Sequence, residues 1–171
     1  MKAGDILLFR KGVHFWESVI AWGTNSKYCH VAVCVSPEMN LAIEAMGGSG
    51  VRARDIRCIP NDYDIYRVHK AYNYDLNSTI SYLVSKLNLH YDYLGVIFLG
   101  ILKTLSKCND NIKKVTNKMQ SANDYFCSEL VYEAFQIGGG LDIVPNVSAA
   151  DVTSPADIAN SQITRIVESS F

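Results

Sequence analysis

The run HVAVCV (His30 to Val35), followed after the turn-forming SPEMN by LAIEAM (Leu41 to Met46), constrains this chain more than any other stretch. β-Branched residues at alternate positions, closed by a Pro- and Asn-containing turn, predict two antiparallel strands joined as a hairpin. Side chains alternate between faces along a strand. Val31, Val33 and Val35 therefore share one face. If the hairpin keeps them with Leu41, Ile43 and Ala45, then His30, Ala32 and Cys34 occupy the other. Glu44 then joins His30, either directly opposite it or one diagonal step away, within reach of a carboxylate to imidazole hydrogen bond. A one-residue slip would send Glu44 to the wrong side of the sheet.

The remaining elements give an α+β pattern. DILLF (Asp5 to Phe9) and YDIYRV (Tyr63 to Val68) read as strands, so strands dominate the first seventy residues, with the Gly-rich GGSG and VRARDI between them. From Asp75 the period changes. Leu76, Ile80, Leu83, Val84 and Leu87 fall on one face of a helix of about four turns. The run from Tyr93 to Leu105 is apolar almost all round and is expected to be a buried core helix, since a bilayer span needs roughly 20 residues. The polar segment from Ser106 to Asp124 reads as an exposed connection. Gly138 to Gly140 stop the helix that follows it. Ser154, Pro155 and Asp157 mark a helix start, and QITRIVES supplies a closing strand. No repeat or linker divides the chain, so residues 1–171 are expected to form a single domain.

At 171 residues the chain can bury a real core, about two thirds of its unfolded surface. Its net charge of −1 carries no basic excess, so nucleic acid is not an expected partner. The five cysteines (Cys29, Cys34, Cys58, Cys108, Cys127) are odd in number and show neither a CxxC pair nor zinc-like spacing with the four histidines. They read as thiols of a reducing compartment. The apolar run after the first residues is interrupted by Asp5 and Arg10, too soon for a signal peptide, and no transmembrane segment is found; a cytoplasmic location is expected.

In NDYFCSELVYEAF (Asn123 to Phe135), Cys127 opens an amphipathic helix whose apolar positions Leu130, Val131, Ala134 and Phe135 share its face. Asn123 and Asp124 are candidate N-caps, which would put the sulfur in the first turn, where unpaired N–H groups favour a thiolate. A free cysteine is most often just a small buried hydrophobe. Thiol chemistry needs a base, and His30, with Glu44 beside it, is the best candidate. His14, His69 and His90 share no strand face with a carboxylate on the same argument. Cys34 is mid-strand with Cys29 just before it, and Cys58 and Cys108 lie in segments without a helix-start or base signal.

GDILLF, CHVAVCV, AIEAMGGSGV, the pair Tyr91 and Asp92, FCSELVYEAF and SPADIA, in that order, resemble the NlpC/p60-type cysteine hydrolases over nearly the whole chain. The resemblance is to the circularly permuted papain-like branch, which includes YiiX-like bacterial proteins and related poxvirus proteins and, distantly, lecithin:retinol acyltransferase-like enzymes. It implies a small antiparallel barrel-like sheet packed against helices, with Cys127 as nucleophile, His30 as base and Glu44 orienting the base. The expected activity is hydrolysis of an amide, peptide or isopeptide-like, through an acyl-enzyme that needs no metal or organic cofactor. Two alternatives stand beside it. One is acyl transfer or hydrolysis on phospholipid esters, with peripheral lipid contact through the apolar run from Tyr93. The other is a non-catalytic binding module on the same fold.

Overall fold

The computed structural model describes residues 1–10, 26–59, 62–91, 124–147 and 153–169. Six strands make one sheet in the order β4-β3-β2-β1-β5-β8, every neighbouring pair antiparallel. They are β1 (Ile6–Arg10), β2 (Tyr28–Ser36), β3 (Leu41–Met46), β4 (Gly50–Asp55), β5 (Tyr63–Val68) and β8 (Thr164–Ser169). A short parallel ladder joins β6 (His90–Tyr91) to β7 (Asp124–Tyr125). The helices are α1 (Leu76–Ser85), α2 (Cys127–Glu133, continued by a π turn over Ala134–Gly138) and α3 (Pro155–Asn160). The result is an α+β fold, and among the described residues no helix is long and apolar enough to cross a membrane.

The β2–β3 hairpin pairs in the register that strand parity requires. Val33 faces Ile43 and Cys34 faces Ala42. Continued by one residue beyond Val33↔Ile43, that register sets Glu44 across from Ala32 and one diagonal step from His30. The valine face packs with Leu130, Val131, Ala134 and Phe135 of the α2 region in the main core. The opposite face is apolar too, gathering Leu7, Phe9, Ala32, Cys34, Ala42, Ile56 and Ile65. A sheet covered on both faces explains why β1 is an uninterrupted apolar run rather than an alternating one.

Gly50–Asp55, unassigned from the sequence, is β4, paired with β3 from Met46↔Gly50 to Leu41↔Asp55. Helix α1 starts where expected, with Asp75 accepting a hydrogen bond from the Ser78 N–H at 3.0 Å. It is shorter than its periodicity suggested, ten residues, and its buried positions are Thr79 and Leu83 while Val84 is half exposed. The cause is the crossing with the π turn, where a side chain on Gly138 or Gly139 would collide with Ser78, Thr79 and Tyr82. Backbone packs on backbone there, and that close approach selects the Thr79 face. Leu87, beyond the helix end, still packs against the core.

Helix α3 opens as expected. The Asp157 carboxylate accepts from the Ser154 N–H at 2.8 Å, and Pro155 takes the first turn. The apolar run from Tyr93 to Leu105 and the polar segment up to Asn123 lie outside the described residues.

One polar knot ties the sheet together. Asp64 on β5 is fully buried and accepts from Arg10 Nη2 (2.5 Å), Ser169 Oγ (2.6 Å), Tyr28 OH (2.5 Å) and Lys27 Nζ (3.0 Å). Burial alone would raise its carboxyl group. Hydrogen bonds from Ser169, Tyr28, Arg10 and Lys27 outweigh burial and hold it well below the usual carboxylate range.

Candidate active site

Cys127 is the first residue of α2 and is 2% exposed. The caps expected at Asn123 and Asp124 are not what precedes it. Asn123 lies outside the described residues, and Asp124 is drawn into β7 by its pairing with His90, so the helix begins two residues too late for Asp124 to cap it. Phe126 takes the N-cap position with φ −100° and ψ 166°. Having no side-chain acceptor, it leaves only the reverse half of a capping box, in which the Glu129 carboxylate accepts the Phe126 N–H at 3.3 Å. Ser128 donates from its hydroxyl to the Thr153 carbonyl at 2.7 Å and fastens the start of α2 to the chain before α3.

His30 sits on β2 opposite Phe9, whose ring centroid is 5.5 Å from the imidazole. Its Nε2 lies 2.8 Å from Glu44 Oε2, and its ring lies within electrostatic reach of Cys127. With Nε2 engaged by Glu44, the Nδ1 edge is left for the thiol. On a flat sheet this contact would not form, because Cys127 belongs to the valine-face core and strand parity puts His30 on the other face. The β1–β2 register shifts between Phe9↔His30 and Arg10↔Tyr28, so a bulge falls at Cys29, immediately before the histidine. Bulges bend and twist a strand and re-aim its side chains.

Glu44 is 1% exposed and fully engaged. Oε2 holds His30, while Oε1 accepts a two-pronged contact from Arg52, at 3.0 Å from Nε and 2.8 Å from Nη2, with Arg54 Nη1 at 3.5 Å. Burial pushes this carboxyl group up, but the hydrogen bonds and charges of His30 and Arg52 prevail and hold it at about 2. Burial likewise pulls His30 down, yet the Cys127 charge and hydrogen bond, followed by those of Glu44, raise it to about 10.

The structure thus brings Cys127, His30 and Glu44 into one chain of contacts. The other candidates lie elsewhere. His69 is bonded at Nδ1 by the Ala71 N–H at 3.2 Å. His90 belongs to β6. Cys34 is fully enclosed, and burial pushes its thiol up to about 11. Cys58 is exposed, and no disulfide joins the four described cysteines. His14 and Cys108 lie outside the described residues.

Arg52 and Arg54 were not found by sequence reasoning. A hairpin centred on GGSG pairs Glu44 with Arg52, so the signal was there in the alternation of VRAR. Chemically, the arrangement offers a thiol beside a base, and a carboxylate that fixes the base and favours its charged form.

This α+β scaffold, with a cysteine at a helix start set against a histidine strand, is a YiiX-like fold. The structure is similar to the crystal structure of the metalloprotein YiiX from Escherichia coli O157:H7, with a TM-score of 0.72 and 16% sequence identity, covering 99% of this chain and 98% of that one. At that identity the likeness is one of fold. No known family model and no curated protein matches the sequence.

Proposed function

We propose that this chain is a thiol-dependent hydrolase of the NlpC/p60 type, with the permuted papain-like order in which the histidine strand precedes the cysteine helix. The observation that carries the reading is a histidine bonded to a buried carboxylate, His30 Nε2 to Glu44 Oε2 at 2.8 Å, within electrostatic reach of Cys127 at the start of α2. His30 takes the Cys127 proton, and the thiolate attacks the acyl carbon of an amide. N–H groups at the start of α2 stabilise the oxyanion. The imidazolium then protonates the leaving amine, and a water molecule, deprotonated by His30, releases the acid and regenerates the thiol. Glu44 keeps the ring in one tautomer and supports its charge throughout.

YiiX carries the description metalloprotein. In this chain the donors around Cys127 suit a cation poorly, because the Glu44 oxygens are taken by His30 and a guanidinium pair. Among the described residues no group of three or more His, Cys, Asp or Glu side chains could hold a metal ion.

The test is turnover of acyl-amide probes beside phospholipid vesicles, each with and without iodoacetamide. Iodoacetamide-sensitive amide cleavage that Cys127→Ser abolishes is the expected result. Sensitive turnover of phospholipid alone would move the activity to lipid esters, and no turnover of either by a protein with an unreactive Cys127 would leave a binding module.

A further inference from the structure

Arg52 spends its guanidinium on a buried carboxylate rather than on solvent. Nε and Nη2 grip the same Glu44 oxygen, and Nη1 donates to Ser49 Oγ at 2.9 Å, so the plane of the fork is fixed at both ends. That leaves the second oxygen, Oε2, with His30 as its hydrogen-bond partner among the described residues. Arg54 adds a longer contact to Oε1 while its other amino group donates to the Cys58 carbonyl at 2.9 Å. Among the described residues, the charged and titratable groups facing Glu44 are therefore His30 from β2 and Arg52 and Arg54 from β4, with Cys127 of α2 reached through His30. A carboxylate out of water with only a histidine for company would take up a proton readily. A neutral carboxyl group could neither hold one rotamer of the imidazole nor support its positive charge.

We propose that Arg52 is a positioning residue for the cysteine site, keeping Glu44 ionised and aimed at His30 and so setting the acid limit of Cys127 reactivity from the edge of the hairpin. The inference rests on the thiol–imidazole reading of the site but not on any substrate. Arg52 touches neither the thiol nor the reacting atoms; its influence passes through Glu44. A lysine cannot replace it fully, because a single ammonium point charge does not reproduce the two-pronged grip on Oε1.

The experiment is the rate of Cys127 alkylation by iodoacetamide against pH, read by mass spectrometry in wild type, Arg52→Gln, Glu44→Gln and the double variant. Labelling of the fully buried Cys34 in the same spectra reports whether the fold is intact. Arg52→Gln is expected to move the acid limb of Cys127 labelling upward by about one pH unit, Arg52→Lys by less, with Cys34 protected. Because Arg52 acts through Glu44, the double variant should match Glu44→Gln alone. Arg57, exposed and paired with Asp55, is the control, and Arg57→Gln should follow wild type. An unmoved acid limb in Arg52→Gln, or effects of Arg52→Gln and Glu44→Gln that add, overturns the proposal. If Arg52→Gln releases Cys34, Arg52→Lys takes its place in the cycle under the same criteria. A wild-type Cys127 whose labelling ignores His30→Ala fails at an earlier step, and refutes the thiol–imidazole reading instead.

Discussion

Glu44 reaches His30 diagonally across the hairpin, not from the directly opposite position, and closes the gap to 2.8 Å between Oε2 and Nε2. A glutamate has the length for that diagonal; an aspartate at the same position would fall short. Glu44→Gln is expected to leave the fold intact and lower turnover roughly 100-fold, because the amide can hold the ring but cannot support its charge. Glu38, exposed in the hairpin loop with Ser36 Oγ at 3.3 Å, is the control, and Glu38→Gln should be silent. Equal kcat/KM for Glu44→Gln and wild type on a verified substrate would remove the carboxylate from the mechanism.

Labelling should single out one thiol. Cys127, within electrostatic reach of His30, is expected to alkylate faster than exposed Cys58 near neutral pH, while Cys34, with its thiol pushed up to about 11, stays unmodified. His30→Ala should erase that preference. Faster modification of Cys58 than of Cys127 would contradict it.

Stability should fall off on both sides of neutrality, for opposite reasons. The Glu44 carboxyl group is lowered from 4.5 to about 2, so its contribution is present above pH 4.5 and is lost as pH falls towards 2. His30 is raised from 6.5 to about 10, so its contribution is complete below pH 6.5 and is lost as pH rises through 10. Urea midpoints measured from pH 3 to 10 should trace this dome. Glu44→Gln should flatten the acid limb, and unchanged acid sensitivity in that variant would count against the assignment.

Asp64→Ala should destabilise the protein by about 3 kcal/mol, because it removes the acceptor that Arg10, Lys27, Tyr28 and Ser169 share. Urea unfolding would measure it, and a loss under about 1 kcal/mol would show the knot to be dispensable.

Gly139→Ala tests the crossing of α1 with the π turn. The added methyl would overlap Thr79 Oγ1 and come within 2.9 Å of the Phe135 carbonyl oxygen. Overpacking of this kind costs about 1 to 3 kcal/mol, whereas an unchanged melting temperature would mean that the helices part easily.

The hairpin was legible because its faces are chemically unlike: valines on one side, a histidine and a glutamate among small residues on the other. Register followed from parity, and with it the neighbourhood of His30 and Glu44. The link to Cys127 was not legible in the same way, since parity puts His30 on the face opposite the core that holds Cys127, and no residue pattern announces the bulge at Cys29. Periodicity misjudged the face of α1 because hydrophobicity cannot foresee that two glycines from a distant turn will press on Thr79. The N-cap went astray for a related reason. Asp124 has the right chemistry for a cap, but the ladder with His90 claims it first. Arg52 and Arg54 escaped notice because charged residues on an edge strand ordinarily face water, and only the position of Glu44 turns them inward.

The bond between His30 and Glu44 spans fourteen residues, all of them within one hairpin. Among the described residues, four further strands and helix α1 precede Cys127. Hairpins form in roughly 1 to 10 μs, whereas a ribosome adds about 5 to 20 residues per second. A growing chain therefore carries its imidazole and carboxylate together for several seconds before Cys127 exists to meet them. On the proposed thiol–imidazole reading the site stays incomplete throughout that interval, and selective reactivity at Cys127 becomes a signal that the two halves of the polypeptide have met.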